Sequence, residues 1–139
     1  MKRLVFMIIP ALICGIVFTS CSSELTSEEL TEELTEGKFS GRFTVKRFAG
    51  MPGDYWGAGG NWTATLVLNN GKYTITTGGS GNYSLNNGKI IFEDENAWTC
   101  DFDHNLILNG VYEYTFNGRK LKISQRFDFA HYVYDLKKE

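Results

Sequence analysis

The chain has 139 residues, of which 42% are hydrophobic, 14% aromatic and 22% charged, with a formal net charge of −2. Those values describe one small globular domain, and two prolines against fifteen glycines without a three-residue period exclude collagen-like and proline-rich architectures. The charge is uneven: residues 1–20 carry +2, residues 21–37 carry −6 and residues 38–139 carry +2. A domain at +2 lacks the concentrated basic face that nucleic acid requires, so nucleic-acid binding is not expected.

Met1-Lys2-Arg3 is a short cationic start, followed from Leu4 to Phe18 by fifteen residues without a charge. A membrane-spanning helix needs about 20 apolar residues, so residues 1–20 read as a secretory signal peptide. The apolar run ends in Thr19-Ser20-Cys21. This junction resembles the lipobox of bacterial lipoproteins, with Phe18 where that family usually has Leu. The resemblance implies cleavage before Cys21 and acylation there with diacylglycerol and palmitate-type chains. Two or more chains give stable membrane anchoring, whereas one gives only marginal binding. The implied location is the cell outer membrane, lipid-anchored, with Ser22 rather than Asp after the cysteine favouring that transfer. Of the other cysteines, Cys14 leaves with the signal and Cys100 stands alone. No intramolecular disulfide is therefore expected, and Cys100 reads as a small buried apolar residue.

Residues 21–38 form the lipidated cysteine and an acidic tether. The segment repeats Leu25-Thr26, Leu30-Thr31 and Leu34-Thr35 among six glutamates and carries no aromatic residue. It reads as a solvated spacer, too short for a stable isolated helix. Ser22-Ser23-Glu24 loosely resembles the surface-export signal of Bacteroidetes lipoproteins, which leaves surface and periplasmic exposure both open.

From Phe39 the pattern changes to period two. Phe39, Gly41, Phe43 and Val45 alternate with polar residues, as do Trp62, Ala64, Leu66 and Leu68, and then Tyr73, Ile75 and Thr77. Tyr83 and Leu85, Ile90 and Phe92, Tyr112, Tyr114 and Phe116, Leu121 and Ile123, and Tyr132, Tyr134 and Leu136 continue it. A further strand is expected near Trp98 to Asp103. Asn69-Asn70-Gly71-Lys72, Asn86-Asn87-Gly88-Lys89 and Asn117-Gly118 are tight-turn signals, because Asn and Gly accept positive φ. Strands joined by such turns are antiparallel, and a long meander without helices removes its edges by closing. The expected fold is all-β, an antiparallel up-and-down barrel of about eight strands over residues 39–139, with a two-sheet sandwich as the alternative.

Gly81-Asn82-Tyr83-Ser84-Leu85, Gly88-Lys89-Ile90-Ile91-Phe92, Leu106 through Gly110 with Tyr112 and Tyr114, and Gly118 with Leu121, Lys122 and Ile123 are similar to the lipocalin-like lipoproteins of Bacteroidetes. The resemblance covers about residues 39–126. It implies a small lipid-anchored barrel, in a family mostly of unknown function. Gly41-Arg42-Phe43 stands where lipocalins usually carry Gly-x-Trp.

The residues assigned inward, Phe127 among them, are strongly aromatic. An eight-stranded barrel is either filled by side chains or holds one small ligand. Rings favour filling, but buried tyrosine hydroxyls need partners, and only Arg47, Thr77 and Gln125 are at hand. Residues 48–61 form the first long connection and place Tyr55 and Trp56 among glycines, as a lid or a ligand contact. The candidate ligand-binding residues are Arg47, Tyr55, Trp56, Trp62, Tyr112, Tyr114 and Gln125. The expected ligand is a small amphipathic or apolar molecule or a glycan at the barrel mouth. The alternative is a filled barrel that docks an envelope protein partner. No catalytic residues, metal ligands or cofactors are assigned: Asp101, Asp103 and His104 read as a solvated turn, and no glycine run has the context of a nucleotide loop or nucleophile elbow.

Overall fold

The computed structural model describes residues 32–48 and 59–139. Eight strands lie among them: β1 (Gly37–Arg47), β2 (Gly60–Asn69), β3 (Lys72–Ile75), β4 (Ser80–Asn86), β5 (Lys89–Asp94), β6 (Gly110–Phe116), β7 (Lys120–Arg126) and β8 (Ala130–Lys138). Each pairs antiparallel with the next, and β8 pairs with β1, so the sheet closes into an up-and-down barrel. A single 3-10 turn, His104–Leu106, interrupts the β5–β6 connection.

The turn chemistry fixes one end. Asn70 and Gly71 have φ of 50° and 71°, and Asn87 and Gly88 have 47° and 73°. Two successive positive φ values give the two-residue hairpin whose twist matches its strands. These turns, with residues 117–119, form the turn end. The opposite end, the mouth, gathers the longer connections. Closure depends on Gly41, where a Cβ would lie 2.0 Å from the Asp135 carbonyl oxygen and 2.9 Å from Leu136 Cα. Only a residue without a side chain lets β1 approach β8 this closely.

The interior is packed with rings. Phe43 stacks on Tyr134 at 4.2 Å between centroids and on Trp62 at 5.4 Å. Tyr134 meets Tyr112 edge-on at 6.3 Å, Tyr112 meets Phe92 at 5.9 Å, and Phe92 meets Tyr73 at 4.8 Å. Toward the turn end Phe39 meets Phe116 at 6.0 Å. Several of these contacts join strands that are not neighbours in the sheet, so side chains from opposite walls touch across the middle. The filled reading of the barrel holds at this level, and burial of these rings is the main stabilising contribution.

Three expectations need correction. The last part of the tether is not a solvated spacer. Residues 32–36 run across the turn end and place Leu34 in the core at 8% exposure. The Glu32 amide donates to the Phe116 carbonyl at 2.7 Å, the Lys138 ammonium to Thr35 Oγ1 at 2.8 Å, and the Asn70 amide to Glu36 Oε1 at 2.6 Å. Leu34 is the one apolar residue of residues 32–36, and the bottom of an open-ended barrel is the apolar surface within its reach. Second, no strand forms over 98–103. Third, Phe127 is 38% exposed rather than inward, because β7 ends at Arg126 and Phe127 opens a turn in which its amide donates to the Ala130 carbonyl at 2.8 Å.

Candidate functional site

The 15-residue β5–β6 connection, residues 95–109, packs over the mouth end. Leu108 is fully buried and Leu106 packs on the core. The Leu108 amide donates to the Gly78 carbonyl at 2.8 Å. The Tyr73 hydroxyl donates to the Leu108 carbonyl at 2.5 Å, and the Tyr132 hydroxyl to Asn105 Oδ1 at 2.8 Å. The cap thus supplies the partners that buried tyrosines require. Burial raises the pKa of Tyr73, Tyr112 and Tyr134 well above the ordinary phenol value, so these rings stay neutral.

Asp94 anchors the cap. Its carboxylate accepts from the Ser80 amide at 2.9 Å, from Asn96 Nδ2 at 2.6 Å and from the indole Nε1 of Trp98. Burial alone would raise its pKa, but the hydrogen bonds from Trp98, Ser80 and Asn96 outweigh it and hold the carboxyl below its ordinary value. Cys100 lies in this cap and is exposed, not buried, because the segment is a turn rather than a strand. Asp103 caps the 3-10 turn by accepting from the Asn105 amide at 3.0 Å. Among the described residues, no three His, Cys, Asp or Glu side chains converge as a metal site would.

Among the described residues, a concavity lies in the barrel wall. The β6–β7 ladder runs only from Phe116 opposite Leu121 to Glu113 opposite Ser124. Beyond it, β6 still pairs with β5 up to Gly110 opposite Phe92, and β7 with β8 up to Arg126 opposite His131. The mouth-side ends of the two strands therefore follow different neighbours. Asn109 Oδ1 accepts from the Asp94 amide at 3.0 Å and holds the start of β6 to β5. The Arg126 guanidinium lies 4.7 Å over the Phe48 ring and holds the end of β7 toward β1. Between them opens a cleft of about 410 Å³, lined by Lys89, Val111, Tyr112, Glu113, Ser124, Gln125, Arg126 and His131.

The candidate residues distribute unevenly. Tyr112 and Gln125 meet in the cleft. Arg47 ends β1 on its inner face at the mouth, near Tyr132, whose pKa burial raises against the opposing charge of Arg47; the Arg47 Nε is buried without a partner among the described residues, as is Thr77 Oγ1. Trp62 and Tyr114 are half-buried and pack on the core, Trp62 against Phe43. They serve packing and do not join the cleft. Tyr55, Trp56 and most of the long connection that carries them lie outside the described residues, as do Cys21 and the signal segment.

Lys89, Val111, Glu113, Ser124, Arg126 and His131 were not singled out in the sequence. All sit at outward positions of alternating strands, where polar residues read as an ordinary wet face. Comparison with known protein families, curated proteins and solved structures finds no match for this chain.

Proposed function

We propose that the chain is a lipid-anchored binding protein of the bacterial outer envelope, related to the lipocalin-like lipoproteins, which holds a small amphipathic ligand in the side cleft of a filled barrel. The Cys21 lipobox supports the anchor and the location. The observation that carries the binding reading is the lapse of the β6–β7 ladder. It gives a concave site with an apolar side chain, Val111, beside polar groups (Ser124, Gln125, Arg126, His131). Ligand sites combine apolar lining with a few placed polar groups in this way.

The test is native mass spectrometry of the full chain purified in a non-ionic detergent, with a thermal-shift screen of amphiphiles and oligosaccharides. A copurifying small molecule, or stabilisation that Ser124→Trp abolishes by filling the cleft, is the expected result. Stabilisation unaffected by Ser124→Trp would remove the cleft from the reading.

A second reading has its own observation. Phe127 and Phe129 stack at 5.6 Å, are 38% and 44% exposed, and lie beside Phe48, whose amide donates to the Phe129 carbonyl. Three aromatic rings on one rim form the kind of apolar patch that docks a protein. Phe129→Ser would then abolish partner capture without affecting ligand-induced stabilisation.

A further inference from the structure

We propose that the β6–β7 cleft takes the oxyanion of a small amphiphile, a carboxylate or phosphate, between Arg126, His131 and Lys89, with the apolar tail against Val111. This rests on reading the cleft as the ligand site and adds the charge of the ligand.

The argument begins with register. His131 on β8 stands directly opposite Arg126 on β7 and directly opposite Lys46 on β1. Three basic residues thus occupy one row across three adjacent strands, and like charges in direct cross-strand pairs repel. Lys122, four residues from Arg126 along β7 on the same face, adds to the field at His131. The ion pairs among the described residues, Lys38–Glu139 and Lys72–Glu95, both lie elsewhere. Arg126 contacts the face of Phe48, which leaves its fork of N–H donors without a carboxylate among those pairs. Lys89 faces the cleft from β5 and Glu113 from β6, directly opposite each other in the ladder. Glu113 is the one acid in the lining, against Lys89, Arg126 and the titratable His131, so the excess charge of the cleft is positive.

A positive row beside a concave site has a ready chemical complement. An oxyanion between Arg126 and His131 replaces repulsion by charge-assisted hydrogen bonds. Val111, 46% exposed on the facing strand, is placed to cover a short apolar tail. The state of His131 agrees with this field. Burial, then the charges of Arg126, Lys122 and Lys46, hold its pKa below the ordinary histidine value. A bound anion opposes those charges and raises the pKa. By linkage, affinity then rises as pH falls through the histidine range and levels off once His131 is protonated in the free protein.

The chain has two histidines, and His104 lies in the mouth cap, so one reports on the cleft while the other serves as a control. The test is an NMR titration of both imidazoles in the full chain, held in a non-ionic detergent, with hexanesulfonate as probe. This anion keeps one charge from pH 5 to pH 8. Hexanesulfonate is expected to raise the His131 pKa, leave that of His104 unchanged, and bind about three- to tenfold more tightly at pH 5 than at pH 8. Arg126→Gln and, separately, Lys89→Gln should each weaken binding several-fold.

A parallel arm places the chain in zwitterionic vesicles with and without an anionic lipid. A His131 response to the soluble probe assigns a free ligand, and a response to the anionic vesicles alone assigns a lipid headgroup. Hexanol separates the two levels of the argument. If hexanol perturbs the cleft as strongly as hexanesulfonate and the His131 pKa does not move, the anion inference is overturned while the ligand site stands. If neither probe nor vesicle perturbs the cleft, both are overturned.

Discussion

Phe43 is the residue through which the filled state of the barrel can be measured. It is fully buried, with ring centroids of Tyr134, Trp62 and Tyr132 at 4.2, 5.4 and 6.2 Å. Core Phe→Ala changes cost about 3–5 kcal/mol through lost transfer energy and the cavity left behind. Each aromatic pair adds about 0.5–1.5 kcal/mol beyond area burial, so Phe43→Ala belongs at the upper end, about 5 kcal/mol. That is a large share of the about 5–15 kcal/mol total of a small domain, so the variant shifts strongly toward the unfolded state. Phe43→Leu keeps an apolar side chain in place and loses the ring contacts, for about 2 kcal/mol. With a urea m-value of about 1–3 kcal/mol/M, this lowers the unfolding midpoint by about 0.7–2 M at unchanged m. Equilibrium urea unfolding followed by tryptophan fluorescence reads both variants. A loss below about 1 kcal/mol for Phe43→Ala would refute the reasoning, because a ring bordering a wet lumen leaves no dry cavity when it is removed.

Tyr73→Phe leaves the buried Leu108 carbonyl without its donor and should cost about 1–3 kcal/mol, read as faster amide exchange across residues 95–109. Asp94 has a lowered pKa in the folded state, so its contribution is present above the ordinary carboxylate pKa and is lost as pH falls through the lowered value. Exchange in the cap should accelerate over that acid range, and Asp94→Asn should remove this pH dependence and cost about 1–3 kcal/mol at neutral pH. Leu34→Ala should destabilise by about 2 kcal/mol, near the low end for buried leucines because the site lies at the barrel end, and calorimetry would show it as a lower Tm.

The strands and turns were legible because their signals are local. Alternation of period two and the Asn-Gly pairs specify strand and hairpin within a few residues, and a run of hairpins then closes. Leu34 was missed because one leucine among glutamates carries no periodicity, and its burial depends on a barrel end assembled from β6, β8 and the β2–β3 turn. The cap was misread for a related reason. Trp98, Cys100, Phe102 and Leu106 imitate strand composition, but their partners are Asp94, Gly78 and the core beneath. Phe127 was assigned inward by extending the β7 alternation one step past the strand end. The cleft was least legible. It arises where Asn109 holds β6 to β5 and Arg126 leans on Phe48, contacts that no spacing in the sequence announces. Tyr112 and Gln125 stand out in the sequence as polar groups inside an aromatic barrel, whereas Arg126 and His131 read as an ordinary solvated face.

The most direct measurement is a backbone-amide shift map of the full chain with a saturating small amphiphile. A filled barrel that binds from the side predicts changes concentrated at Val111, Tyr112, Ser124, Gln125, Arg126 and His131, with Leu66, Phe92 and Tyr134 unmoved. Changes concentrated instead at those interior positions would mean that the ligand enters the lumen, and would contradict both the filled core and the side cleft.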